Sequence, residues 1–275
     1  MKTLSPREVN LHPALIAAAH AAERAFREAK ATMPLSELSS IIGVGGDGTP
    51  TMYLDQIVDE AVISAVEPFA INILSEEIGW VDNGSNTTLV MDPVDGTANA
   101  VAGIPSCAFA GAIVVNEIIT DSHLVWLDSN RSLSAHRESD GRFLLSEPLA
   151  VSQCRSLKGS SIALLRPRPE TRTAWLSIVE PAERLRVMGS SILEGSLVAL
   201  GAIDAFADAG GDIHRLVDLL PLVPFVESAG GVIVDAFSRP LVFDTDMSKR
   251  WSGVVAATQE LADEICQRIT QSSLT

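Results

Sequence analysis

Apolar positions recur at helical spacing near the start of the chain. Leu15, Ala19, Ala22 and Phe26 share one stripe, while Glu23, Arg24 and Arg27 occupy other faces. This pattern predicts an amphipathic helix over about 12–31, stopped before Pro34. The glycine-rich stretch IIGVGGDGTP reads as a turn, and 53–69 as a second helix whose Leu54, Ile57, Val58, Ala61 and Ile63 are apolar. Short apolar runs predict strands at 71–74, 89–91, 108–115, 124–127, 142–145 and 161–165. Helical patterns follow at 174–183, 191–200 and 217–229, with strands at 203–207 and 230–235. Helices and strands alternate in both halves, which predicts a layered α/β or α+β architecture. The polar stretch VSQCRSLKGS is the expected seam between an N-terminal half, 1–150, and a C-terminal half, 151–275.

The chemistry concentrates where a strand ends. Asp92-Pro93-Val94-Asp95-Gly96-Thr97 follows the apolar run at 89–91 directly. Two carboxylates three residues apart, on a turn stiffened by proline, can converge on one cation or straddle two, and the Val94 carbonyl can join them. Gly96 and Thr97 then open a helix, whose first N–H groups and dipole favour an anion such as phosphate. Glu76 and Glu77 end the preceding strand, so both strands are expected to deliver carboxylates to one sheet edge. Asp55 lies in the second helix. Asp218 sits within the apolar run RLVDLLPLVPFV, where an acid is costly unless it caps a helix, pairs or binds metal.

These residues resemble the inositol monophosphatase superfamily of metal-dependent phosphomonoesterases. Asp92 to Thr97 with Asn99 is similar to its DPxDGTxN signature, Ser75-Glu76-Glu77 to its paired-Glu element, and Asp218 with Glu227 to Gly231 to its C-terminal element. DGTPTMYLDQIVDEA and SEEIG resemble the archaeal-type branch, whose members dephosphorylate inositol phosphate and fructose bisphosphate. The resemblance implies a layered αβαβα sandwich, usually a homodimer, using two or three Mg²⁺ with Mn²⁺ as a substitute. It implies that Glu76, Asp92, Asp95, Asp218 and the Val94 carbonyl hold the metals. It further implies that Thr97, with Asp55 and Glu77, orients and deprotonates a water, while the amides of Gly96 and Thr97 grip the phosphoryl oxygens beside Asp95. Gly189, Ser190 and Ser191 match the stretch facing substrate hydroxyls, and Asp208 a position that bonds a polyol hydroxyl. Arg215 is a candidate for a second anionic group on the substrate. Lithium is expected to inhibit by competing for one metal position. The chain departs from the family pattern at Ala100, Val217 and Leu219 to Pro221, which bears on substrate identity more than on metal binding.

Other readings compete. Gly43, Gly45 and Gly48 spell GxGxxG, the mark of a nicotinamide-dependent oxidoreductase if a strand precedes it and a helix starts within it. A flexible loop over the metal site is the expected alternative for these glycines. A non-catalytic protein binding metal or sugar phosphate, and a 3′-nucleotide phosphatase on the same scaffold, are the remaining rivals. Composition narrows the field: Asp plus Glu total 35 against 20 Lys plus Arg, a net charge of −15. Such an excess disfavours nucleic acid or an anionic membrane surface as partner, leaving a small phosphate ester. Cys107, Cys154 and Cys266 form no CxxC pair, and the N-terminal stretch, with Arg7 and Glu8, has no long apolar run, so a reducing cytoplasm is expected. The five histidines show no metal-ligand spacing and are assigned to surface or capping roles. Trp80, Trp126, Trp175 and Trp251 read as core or interface anchors.

Overall fold

The computed structural model describes residues 8–129 and 131–272; Arg7, part of the charged N-terminal stretch, lies outside the described residues. The chain forms two compact units, Met1–Glu147 with Phe243–Ser248, and Pro148–Val242 with Lys249–Thr275.

In the first unit, α1 (Pro13–Thr32) begins at His12, whose Nδ1 accepts the Ala14 N–H at 3.2 Å. Its buried stripe is mostly alanine, so the helix lies close to the sheet beneath it. Gly111 marks that approach, because a Cβ there would meet Leu15 Cδ1 at 2.6 Å. A single turn, α2 (Leu35–Leu38), leads into β1 (Ile41–Val44) and β2 (Pro50–Met52), which pair antiparallel. The stretch expected to be a turn is therefore a hairpin. Its first strand rests on Ile41, Ile42 and Val44, β-branched residues that favour extended backbone even though the strand is exposed. Next, α3 (Tyr53–Val66) packs against α1 and passes into a short 3₁₀ turn at Glu67–Phe69.

The sheet of this unit, among the described residues, has seven strands. They are β3 (Asn72–Ser75), β4 (Gly79–Val81), β5 (Thr87–Asp95), β6 (Ala108–Val115), β7 (Ile118–Trp126), β8 (Ser132–Arg137) and β9 (Phe143–Leu145), in the order β4-β3-β5-β6-β7-β8-β9. Only β3 and β5 pair in parallel; the other neighbours run antiparallel. A five-residue helix, α4 (Thr97–Val101), follows β5. Leu89, Met91, Phe109 and Ile113 of the sheet meet Leu15, Phe26, Leu54 and Val58 of the helices in one buried cluster. Burying each large side chain contributes roughly 1.5–3 kcal/mol.

The second unit holds, among its described residues, a five-stranded sheet in the order β11-β10-β12-β14-β13. Its strands are β10 (Ser161–Leu164), β11 (Arg184–Arg186), β12 (Ala205–Ala207), β13 (Val232–Asp235) and β14 (Gly253–Ala256). Two of its helices, α5 (Arg172–Val179) and α6 (Ser191–Ala199), agree with the apolar periodicity. The helix expected over 217–229 is instead α7 (Leu216–Leu219), a 3₁₀ turn at Leu220–Leu222, and α8 (Val223–Ser228). Pro221 and Pro224 explain the break: neither carries an N–H, and each stands in the first turn of a new segment. A last helix, α9 (Gln259–Ser272), buries Leu261, Ala262, Ile265 and Ile269 against α5 and β14. In both units helices cover a mixed sheet, as the layered α/β class requires. Among the described residues, no helix is long and apolar enough to cross a membrane.

The β6–β7 connection is a two-residue turn with Asn116 at φ 49° and Glu117 at φ 66°. Both values are left-handed, a conformation an L residue other than glycine or asparagine pays to adopt. Glu117→Gly is therefore expected to stabilise the protein by about 0.5–1 kcal/mol, read as a higher urea midpoint at unchanged slope.

Candidate active site

The site starts from an irregularity in β5. Asp92 stands opposite Ala110 and Asp95 opposite Ala108, with the register slipping between them. In a regular strand, residues three apart face opposite sides of the sheet. Their partners here are two apart and share a face, so the bulge at Pro93-Val94 brings both aspartates to one side. Both are buried. The Asp92 Oδ1 accepts the Val94 N–H at 2.9 Å, which holds the bulge closed. Gly96 then adopts φ 87°, a left-handed value that suits glycine, and starts α4 at Thr97.

Because β3 and β5 are parallel neighbours, their C-terminal ends lie at the same sheet edge. Glu76 and Glu77 follow β3 directly, and carboxylate oxygens of Glu76 and Asp92 lie within 4.8 Å of each other. Helix α3 faces this edge with two buried acids one turn apart, Asp55 and Asp59. Asp55 Oδ1 accepts the Thr97 hydroxyl at 2.5 Å, and its Oδ2 accepts the Met52 N–H at 3.1 Å. Thr97 Oγ1 also lies 2.8 Å from the Val94 carbonyl. One hydroxyl proton cannot serve two acceptors at once, so a protonated Asp55 can donate to Thr97 while Thr97 donates to Val94. Desolvation brings that state within reach without making it the resting one: it pushes the Asp55 carboxyl up to about 6, against the lowering effect of the Thr97 and Met52 hydrogen bonds, so near pH 7 the ionised form that accepts from Thr97 predominates. Asp59 is likewise raised to about 6, chiefly by desolvation, while its hydrogen bond from Ser75 pulls the other way.

The loop between β1 and β2, expected to be flexible, is tied to the acidic turn. Gly46 N–H donates to the Glu77 carbonyl at 2.6 Å and Asp47 N–H to the Glu76 carbonyl at 3.2 Å. A Cβ at Gly46 would fall 2.2 Å from the Gly79 nitrogen, so glycine is required for that contact. The Thr51 hydroxyl donates to Glu77 Oε2 at 2.5 Å. With Gly43 inside β1 and paired with Thr51, Gly45 and Gly48 in the hairpin loop that leads to β2, and α3 starting only at Tyr53, this segment lacks the strand-turn-helix that the dinucleotide reading needs.

In the second unit, Asp218 occupies the third position of α7, where its Oδ2 accepts the Arg215 N–H at 2.7 Å, with Arg215 Nη1 at 3.7 Å. This acid therefore caps its own helix. Ser190 caps α6 by accepting the Leu193 N–H, and buried Glu194 accepts the Met188 N–H at 2.9 Å, shaping the turn of Gly189, Ser190 and Ser191. Asp208 is buried and accepts N–H groups from Gly211 and Ile213, which fastens the 209–213 loop. His214, expected at the surface, is buried: its Nδ1 accepts the Gly253 N–H and its ring stands edge-on to Phe206. Desolvation holds that ring below the usual histidine range, hence neutral near pH 7.

Carboxylates of Glu76, Asp92 and Asp95 and the carbonyl of Val94 are all hard oxygen donors, the set a small divalent cation takes. Two carboxylates within 4.8 Å, Asp92 buried and Glu76 half-buried, also call for positive charge between them. The donor set thus fits a divalent metal. Sequence reasoning missed Thr51, Asp59 and Ser75. The signal for Asp59 was present, since a second acid four residues after Asp55 on an apolar helix repeats the same buried face.

Comparison with known proteins gives this geometry its context. Residues 10–274 match the model of the inositol monophosphatase family. A fructose-1,6-bisphosphatase/inositol-1-monophosphatase of Thermococcus kodakarensis is 27% identical over 227 residues, covering 82% of this chain and 85% of its own. A bifunctional NADP phosphatase/NAD kinase of Methanococcus maripaludis is 29% identical over 237 residues, covering 78% of this chain and 42% of that protein. A solved inositol monophosphatase-fructose 1,6 bisphosphatase superposes with a TM-score of 0.80 at 25% identity, covering 92% of this chain and 98% of the other. The chain belongs to the inositol monophosphatase family, in its archaeal-type inositol monophosphatase/fructose-1,6-bisphosphatase branch, and with it to the phosphoric monoester hydrolases.

Proposed function

We propose that the protein is a Mg²⁺-dependent phosphatase of a small sugar or polyol phosphate, such as an inositol monophosphate or fructose bisphosphate. The observation that carries the reading is the face shared by Asp92 and Asp95, with Glu76 beside Asp92 and the Asp55–Thr97 pair at the start of the next helix. Glu76, Asp92, Asp95 and the Val94 carbonyl would hold two or three Mg²⁺ or Mn²⁺, and Asp218 joins this set as the family resemblance implies. When bound, the ions supply charge neutralisation for the phosphate and lower the pKa of water.

The protein's own groups do the rest. Thr97 accepts a hydrogen bond from the attacking water and passes its own hydroxyl proton to the ionised Asp55 behind it, which a carboxyl raised to about 6 takes up better than an ordinary one. Glu77, steadied by Thr51, fixes the water's second side. In this reading the amides of Gly96 and Thr97 hold phosphoryl oxygens, Gly189, Ser190 and Ser191 meet substrate hydroxyls, and Arg215 meets a second anionic group. Asp208 keeps acceptor capacity for a polyol hydroxyl beyond its backbone hydrogen bonds. A nucleotide monoester is the second reading, favoured by the NADP phosphatase among the relatives. Homodimer formation and lithium inhibition belong to the proposal through the resemblance, and residence in a reducing cytoplasm through the three free thiols.

Phosphate release from a panel of inositol, fructose and other sugar phosphates, with NADP included, tests the function. Mg²⁺-dependent turnover of at least one sugar or polyol phosphate is expected; turnover of NADP alone would replace it with the nucleotide reading. Asp95→Asn is expected to lower kcat by about 10²–10³-fold while leaving the far-UV spectrum unchanged, as removing several kcal/mol of metal-borne stabilisation requires. Thr97→Val, which preserves shape and removes the hydroxyl, is expected to cut kcat by about 10²–10⁴-fold with KM little changed. Pre-steady-state and steady-state assays at saturating Mg²⁺ separate the two parameters.

A further inference from the structure

Asp59 takes no part in the mechanism above, yet it is buried and its environment is built. Ser75, the last residue of β3, donates its hydroxyl to Asp59 Oδ1 at 2.7 Å, and both residues are buried. The same Ser75 Oγ accepts the Glu77 N–H at 3.4 Å. A line of hydrogen bonds therefore runs from the Glu77 backbone through Ser75 to Asp59. A hydroxyl has one proton, and with Asp59 as its acceptor the Ser75 lone pairs are left to face the Glu77 N–H.

The arrangement repeats the one at Asp55. Helix α3 offers two acids four residues apart, and each holds a hydroxyl next to a carboxylate-bearing turn: Asp55 holds Thr97, two residues after Asp95, and Asp59 holds Ser75, one residue before Glu76. Asp59 also lines, with Thr51 and Glu77, a cavity of about 310 Å³ behind the acidic turn. Desolvation raises this buried carboxylate, and the charge of Glu77 beside it adds to that, while the Ser75 hydroxyl is the group that compensates.

We infer that Asp59 is a positioning residue for the metal site, acting through the Ser75 hydroxyl to fix the Glu76-Glu77 turn in its metal-binding geometry. The inference rests on the proposed metal reading. Groups one shell behind the ligands typically change metal affinity ten- to a hundred-fold when removed. Mn²⁺ binding, followed by electron paramagnetic resonance of the free ion, reads the effect without turnover. Asp59→Ala and Ser75→Ala are each expected to weaken Mn²⁺ binding about tenfold or more, with the double variant no weaker than the worse single one. Asp59→Asn, which keeps an oxygen for Ser75, is expected to recover most of the affinity.

Wild-type affinity in a folded Asp59→Ala variant would overturn the inference. So would additive losses in the double variant, which would make the two residues independent. If Asp59→Ala does not fold, Ser75→Ala decides the matter alone, since losing one hydroxyl there leaves the helix packing in place. Wild-type protein that binds no Mn²⁺ would instead overturn the metal reading itself, and the inference with it.

Discussion

Repulsion between buried carboxylates is the constraint around which the first unit is arranged. Glu76 and Asp92 bring oxygens within 4.8 Å of each other, Asp95 shares the face of Asp92, and Asp55 and Asp59 stand behind them largely out of water. No such cluster assembles by its own attraction. The force comes from elsewhere: the alanine stripe of α1 on the sheet, α1 against α3, and the Phe26, Phe109 and Leu54 cluster that fixes α3 over the strand ends. Hydrophobic burial thus stores the work of holding like charges together, and a cation at the site would release it.

Backbone hydrogen bonds translate that core into placement of the acids. Parallel pairing of β3 with β5 brings two C-terminal ends to one edge, and the Gly46 and Asp47 amides clasp the carbonyls of Glu77 and Glu76. The hairpin β1–β2 is exposed on its first strand yet bound at its tip, where Gly45 and Gly46 serve close approach. In the second unit the same economy appears. Asp218 and Ser190 cap the helices they begin, and Asp208 fastens the loop that leads to His214.

The pattern along the chain exposed the α/β class, both long helices of the first unit and the strands that carry Glu76 and Asp92, because each is longer than a period and bounded by turn residues. Strands of three residues such as β4 and β11 are too short to show a period. The break of 217–229 was legible in Pro221 and Pro224, which an apolar run masked. α9 was legible too, in Leu261, Ile265 and Ile269, but its polar flanks dilute the stripe. For the site, residue types and spacing pointed to Asp92, Asp95, Glu76 and Asp55, whereas the hydroxyl partners Thr51 and Ser75 carry no signal until the strands are paired. His214 misled because a lone histidine gives no sign of burial; only the pairing of its backbone with Trp251 encloses it.

The slip in β5 makes the site depend on the number of residues between the two aspartates, counted along the backbone. A substitution at Pro93 or Val94 changes one side chain, whereas loss of either residue would close the slip into a regular strand: the two aspartates, then two apart, would still share a face, but the bulge that lets Asp92 Oδ1 accept the Val94 N–H and presents the Val94 carbonyl to Thr97 would be gone. Length between the two aspartates is therefore under tighter constraint than the identity of what lies between them.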